Sequence, residues 1–252
     1  MIKNNLTAFL IATMLLSTQA CGNKNENAEK NADEEKTEVT GTTESQETTS
    51  DATEAEISSE DTSEITRIKG VWRTQAIEVE SGDITPGIKE FALAFCKQYA
   101  KYKPNEALES YILQPKEYNE EKTGCAIIDE ERNGFISSHA MFQYNLNTDC
   151  CYWKCDNGHR LVAFWLEEEF ENEAAARLAL FYDYDPTTDK MTPKPELTDM
   201  IENAAKSSDA YEVNLPAKGK DITLTKFTNA DDDSYDSTEQ LLKWNGQGFD
   251  LK

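Results

Sequence analysis

Residues 22–66 contain no aromatic residue and carry 14 acidic against 3 basic side chains. Such a run cannot bury enough apolar surface to offset its ordering entropy. Whatever folds in this chain of 252 residues must therefore lie after it. Residues 67–252 hold all 4 Trp and all 10 Tyr, with 34 acidic and 21 basic side chains. That is the size and composition of one acidic globular domain. The run before it reads as a disordered acidic tether with a root-mean-square reach of ~35–40 Å. The net charge of -23 argues against a surface that grips nucleic acid phosphates, so no nucleic acid partner is expected.

The first twenty residues, MIKNNLTAFLIATMLLSTQA, place Lys3 before an apolar stretch from Leu6 to Leu16, then small and polar residues. Cys21 and Gly22 follow, with Ala20 just before the cysteine. This resembles a bacterial lipoprotein signal peptide, which implies cleavage before Cys21 and lipidation of that cysteine. Thr18 departs from the leucine usual at that position, and an ordinary secretory signal cut near Ala20 is the alternative. The expected organisation is a signal over 1–20, a lipidated Cys21 with its tether over 21–66, and one domain over 67–252. The expected membrane contact is the lipid anchor, with two or more acyl chains for stable attachment.

Within the domain, Val71, Trp72, Ala76, Ile77 and Val79 suggest an opening strand. Thr85 and Pro86 then suit a helix start. Ile88, Phe91, Phe95, Tyr99 and Tyr102 fall at helical spacing on one face, and Pro104 ends or restarts the helix toward Leu108 and Ile112. From Cys125 the chain reads as strands. Turns are expected at Asn133–Gly134, Asn157–Gly158, Asp185–Pro186 and Asn245–Gly246, with a short helix over Pro195–Ala205. Leu178, Leu180, Tyr182 and Tyr184 share one strand face. The fold class expected is α+β, an N-terminal helix packed on a twisted, mostly antiparallel β-sheet. Gly70-Val71-Trp72 resembles the Gly-x-Trp entry of lipocalins, so a closed β-barrel is the alternative.

Three late segments are Tyr182-Asp183-Tyr184-Asp185-Pro186 with Lys190 and Pro193, Leu215 to Ile222, and Trp244 to Phe249. Together they resemble uncharacterised secreted proteins and lipoproteins of Bacteroides-type bacteria. The resemblance covers about a third of the chain and implies no activity. It implies a Gram-negative outer membrane. An acidic tether after the lipidated cysteine resembles surface-export signals of those bacteria, which implies the outer face over the periplasmic one. Similar tethers in Gram-positive lipoproteins keep the envelope type open.

Cys125, His139, Cys150, Cys151, Cys155 and His159 fall within 35 residues and include both histidines. In a compartment without a reducing buffer, disulfides among Cys125, Cys150, Cys151 and Cys155 are the leading reading, with Cys125 to Cys150 or Cys151 as a cross-strand pair. Cys96 beside the apolar helix face reads as a buried thiol. A zinc site through Cys155, His159, Cys125 and His139 is the minority reading, because the spacing is not that of a finger or ribbon. Asp129, Glu131, Asn133 and Gly134 resemble the start of a calcium loop, but Ala140 stands where a bidentate glutamate is needed. Asp183, Asp185 and Asp189, and Asp231, Asp232, Asp233 and Asp236, are acidic turns of the same kind. The expectation is therefore no cofactor, with zinc and calcium the two ions weighed.

No nucleophile elbow, phosphate-binding glycine loop or His-Glu-x-x-His motif is present. Glu167, Glu168 and Glu169 read as a solvated strand end. Trp153, Trp165, Tyr182 and Tyr184 offer rings for sugar stacking but fit a core better. The expected function is a lipid-anchored cell-envelope binding module, not catalytic, with a glycan or an envelope protein as partner. A carboxylate-dependent carbohydrate hydrolase is the alternative. A metal-binding protein is the third reading.

Overall fold

The computed structural model describes residues 63–252, apart from 83, 142–144, 170–174 and 229–235. The signal, Cys21, the tether up to residue 62 and the aspartates at 231–233 lie outside the described residues.

The domain opens with a helix, not a strand. Helix α1 spans Glu64–Val71 and runs into a 3-10 turn over Trp72–Thr74. Ile65, Ile68 and Trp72 stand three and four residues apart, one helical face, and all three are buried. A domain start set at residue 67 hides Ile65 and with it the helical period. Only Ile77–Glu78 remain as strand β1. Helices α2 (Ile88–Gln98), α3 (Lys103–Leu113) and the short α4 (Glu120–Thr123) follow. Pro104 sits in the first turn of α3, so the aromatic face of α2 passes through a corner at Tyr99–Tyr102. That corner is held by Asn105, fully buried, which donates to the Tyr99 carbonyl at 2.9 Å and accepts from the Thr148 hydroxyl at 2.8 Å.

The strands are β2 (Cys125–Glu130), β3 (Phe135–Ala140), β4 (Asn145–Lys154), β5 (Arg160–Glu169), β6 (Ala176–Asp185) and β7 (Lys190–Pro193). After helix α5 (Pro195–Ala205) come β8 (Ala210–Asn214), β9 (Ile222–Thr228), β10 (Asp236–Trp244) and β11 (Phe249–Leu251). They form an antiparallel seven-stranded sheet ordered β1-β7-β6-β5-β4-β3-β2 and a four-stranded sheet ordered β11-β10-β9-β8. The class is α+β, and the two open sheets replace the closed barrel.

The pleat of the large sheet divides the core in two. On one face Phe164, Leu166, Leu178, Leu180, Tyr182 and Tyr184 pack against α1, α2 and α3. The rings of Phe95 and Phe164 stack at 3.8 Å. On the other face Trp153, Leu161, Trp165 and Phe181 pack against α5 and the small sheet. The four residues expected to share one face of β6 do so.

Strand β7 pairs with β6 only from Tyr182 to Asp185, which leaves the rest of that β6 edge without a strand. Helix α5 satisfies it instead. The Phe181 carbonyl accepts from the Lys194 amide at 2.8 Å, and the Ala179 carbonyl accepts from the buried Thr198 hydroxyl at 2.8 Å. Lys69–Glu202 at 2.7 Å and Arg73–Asp199 at 2.5 Å then join the two covering layers around this edge. An exposed strand edge is a template for unwanted pairing, and here two of its carbonyls are taken by Lys194 and α5.

Candidate functional site

Three turns meet at one end of the domain. The β4–β5 turn closes with the Cys155 amide on the His159 carbonyl at 3.0 Å, and Gly158 takes a φ of 87° that suits glycine. In the β6–β7 turn, Asp185 Oδ1 accepts from the Thr187 amide at 2.8 Å and its hydroxyl at 2.7 Å. In the β10–β11 turn, Asn245 Oδ1 accepts from the amides of Gln247 and Gly248 at 3.1 and 2.9 Å. The Asp156 amide donates to the Gly246 carbonyl at 3.0 Å, tying the first turn to the third. A side chain at Gly246 would run into the Asp156 carboxylate, its Cβ only 2.5 Å from Oδ2.

Beside the β4–β5 and β6–β7 turns lies an open hollow of about 600 Å³ lined by His159, Asp183, Asp185, Lys190, Lys194 and Glu196, among others. Lys194 also lines a neighbouring hollow of about 530 Å³ with Asp156 and Gln247. His159 Nδ1 stands 2.8 Å from Asp183 Oδ2, and its Nε2 stands 3.9 Å from Asp185 Oδ1. The Thr187 hydrogen bonds, with a smaller pull from His159, hold the Asp185 carboxyl below the usual carboxylate range. Asp183, Asp185 and the two lysines place acceptors and donors side by side, a lining that suits a polar ligand.

The hollow lies opposite the point where the chain enters the domain. The Ser63 hydroxyl and the Ile65 amide both donate to Glu168 Oε2, the latter at 3.3 Å. Glu168 on β5 stands nine positions beyond His159, ~30 Å along a strand.

The four candidate zinc ligands are split between the two ends. Cys155 and His159 face each other at the turn end, as their spacing allows. Cys125 and His139 sit on β2 and β3, near the register of Asn147. Asn147 and Cys155 are eight residues apart along β4, ~26 Å. Among the described residues no group of three or more His, Cys, Asp or Glu is placed to hold a metal ion.

The register also separates the disulfide candidates. Cys125 pairs with Ala140, Cys150 with Ile136 and Phe164, and Cys151 with Phe135 and Ala163. Cys125 is thus four residues out of register from Cys150, ~13 Å along the strand plus another strand spacing, beyond disulfide reach. Cys96, Cys125, Cys150, Cys151 and Cys155 are free thiols, and burial pushes each of them up from its ordinary pKa.

The calcium-like loop already holds a cation of the chain. Lys89 Nζ lies 2.9 Å from Asp129 Oδ2 and 2.8 Å from Glu131 Oε2. Burial works against the charge on Lys89, but the two carboxylates outweigh it and raise its pKa.

The acidic strand end is not simply solvated. Glu168 is 7% exposed and caps α1. Burial lifts the Glu167 carboxyl above its usual range against the pull of Arg177, 2.7 Å away. Trp153, Trp165, Tyr182 and Tyr184 are buried, two on each side of the large sheet, and present no stacking platform. Lys194 and Asp156 were not legible as site residues. The turn signals located each turn, and only the strand order brings the turns together.

No protein family model, no curated protein and no solved structure matches the chain.

Proposed function

We propose that this protein is a lipid-anchored component of the bacterial envelope, held at the outer face of an outer membrane. Its folded body acts as a non-catalytic binding module for a glycan or an envelope protein. One observation carries the reading. The polar hollow around His159, Asp183 and Lys194 lies at the end of the domain opposite Ser63, where the chain arrives from the tether. A body tethered at one end presents its other end to partners. Both faces of the large sheet are filled, so neither face offers a binding surface.

The test uses the full chain. Palmitate labelling in cells is expected to depend on Cys21. Binding on a glycan array or to purified envelope proteins is expected to fall in Asp183→Asn and Lys194→Glu variants. Labelling that persists in Cys21→Ala would remove the anchor. Binding unchanged in both hollow variants would remove the site.

The hydrolase reading draws on Asp183 and Asp185, two residues apart on one strand and hence on one face, whose carboxylates stand 2.8 and 3.9 Å from the two ring nitrogens of His159, a carboxyl pair of the kind glycosidases need. Turnover of a glycan that Asp183→Asn abolishes would replace the binding reading with this one.

A further inference from the structure

Among the described residues, strand β1 is one edge of the seven-stranded sheet and pairs only with β7. Its register sets Ile77 opposite Met191 and Glu78 opposite Lys190, and the Val79 amide donates to the Asp189 carbonyl at 2.8 Å. In an antiparallel pair, alternate residues turn their amide and carbonyl to the partner. Val79 and Ile77 turn theirs to β7, so the N–H and C=O of Glu78 point outward. Among the described residues neither has a hydrogen-bond partner.

That edge is the floor of a groove of about 410 Å³. Its wall is the stripe Glu90, Leu93, Ala94 and Lys97 on α2, a set spaced three and four residues apart and hence one face of the helix. A free strand edge beside a helix is the geometry that accepts an added strand, with main-chain bonds for affinity and alternate side chains for choice. Leu93 and Ala94 offer an apolar strip. Glu78, Glu80 and Glu90 line the same groove; Lys97 pairs with Glu80 at 2.8 Å and Lys190 with Glu78 at 3.3 Å, so the lining keeps an acidic excess at Glu90.

This charge decides the occupant. The chain's own segment 22–66 carries 14 acidic and 3 basic residues and would be repelled. A second copy would set the same glutamates against each other. We propose that the β1–α2 groove binds an extended segment of a partner protein by strand addition, the segment carrying lysine or arginine on one face and small apolar residues on the other. The inference extends the binding-module reading to a second surface and names its ligand chemistry. It does not depend on the hollow around His159.

The probe is the peptide Lys-Val-Lys-Ile-Lys-Val-Lys, titrated into the full-length chain and followed by backbone amide NMR. Two control peptides have alternate amides N-methylated or each lysine replaced by glutamate. Shifts are expected at 76–80 and along α2, and both controls should bind roughly tenfold or more weakly. Glu78→Pro removes an outward amide that β7 does not use, a change an edge strand tolerates. It should weaken the peptide to a similar degree. Leu93→Arg fills and recharges the groove without touching β1, so it reports even if the proline disturbs the strand. No binding, equal binding of the N-methylated peptide, or binding that survives Leu93→Arg would overturn the proposal. None of these outcomes bears on the Asp183 and Lys194 variants, so the two readings fail separately.

Discussion

The amide of Ile65 donates to the carboxylate of Glu168 at 3.3 Å across 103 residues of sequence. Glu168 also takes the Ser63 hydroxyl, so one buried side chain from β5 satisfies the start of the first helix. Helix N-termini leave amides without partners, and losing a cap costs about 0.5–2 kcal/mol. Glu168→Ala should destabilise the domain by about that amount. Hydrogen exchange should show α1 losing protection before the sheet, and Glu168→Gln, which keeps an acceptor, should do less harm. Uniform loss across the domain would contradict the capping role.

Lys89 joins α2 to the β2–β3 turn through Asp129 and Glu131. Burial alone would raise Asp129, but hydrogen bonds from Tyr111 and Lys89 bring its pKa below the usual value. A carboxyl depressed in the folded state stabilises above its unfolded pKa, and that contribution fades as pH falls through the folded value. Lys89→Met should raise the Asp129 pKa in a carbon-detected NMR titration. Calcium added to the native chain should leave the Asp129 and Glu131 signals in place.

His139 Nε2 lies 3.3 Å from Asp149 Oδ1 and 3.0 Å from the Ser137 hydroxyl. The contact with Asp149 outweighs burial and lifts the histidine above its ordinary pKa. Stability from the pair is full below an unfolded pKa of ~6.5 and is lost as pH rises through the higher folded value. Asp149→Asn should lower the His139 pKa and flatten the pH dependence of unfolding above neutrality.

The thiols should separate by burial. Cys96, Cys125, Cys150 and Cys151 are at most 2% exposed, whereas Cys155 is half-buried at the β4–β5 turn. A thiol reagent at neutral pH should modify Cys155 first and the four buried cysteines only on unfolding. Peptide mapping without reductant should show no Cys125–Cys150 or Cys125–Cys151 link.

Phe95 stacks on Phe164 at 3.8 Å and is fully buried between α2 and the sheet. Phe95→Ala should cost about 3–5 kcal/mol, read from chemical denaturation. Leu113→Ala, on an exposed site of α3, serves as a neutral control.

Local signals in the chain determined most of the elements. The helical spacing from Ile88, the Asn-Gly turns and the run Pro195–Ala205 all stand where their residue chemistry puts them. These are short-range effects, set by neighbours three or four residues away or by the φ a glycine permits. Helix α1 is also written locally, but a boundary placed after Ile65 cuts through its period.

Tertiary structure decided what the side chains do. Nothing near Glu168 in sequence reveals that it caps a helix 103 residues earlier. Nothing near Asp129 reveals that Lys89 fills its loop. The cysteines and histidines crowd together in sequence, yet strand register sends them to opposite ends and opposite faces of the sheet. Register and strand order are collective properties of the whole core, fixed by which faces must be buried together. A single chain displays its turns and periods directly, but it discloses which distant groups meet only once that core has closed.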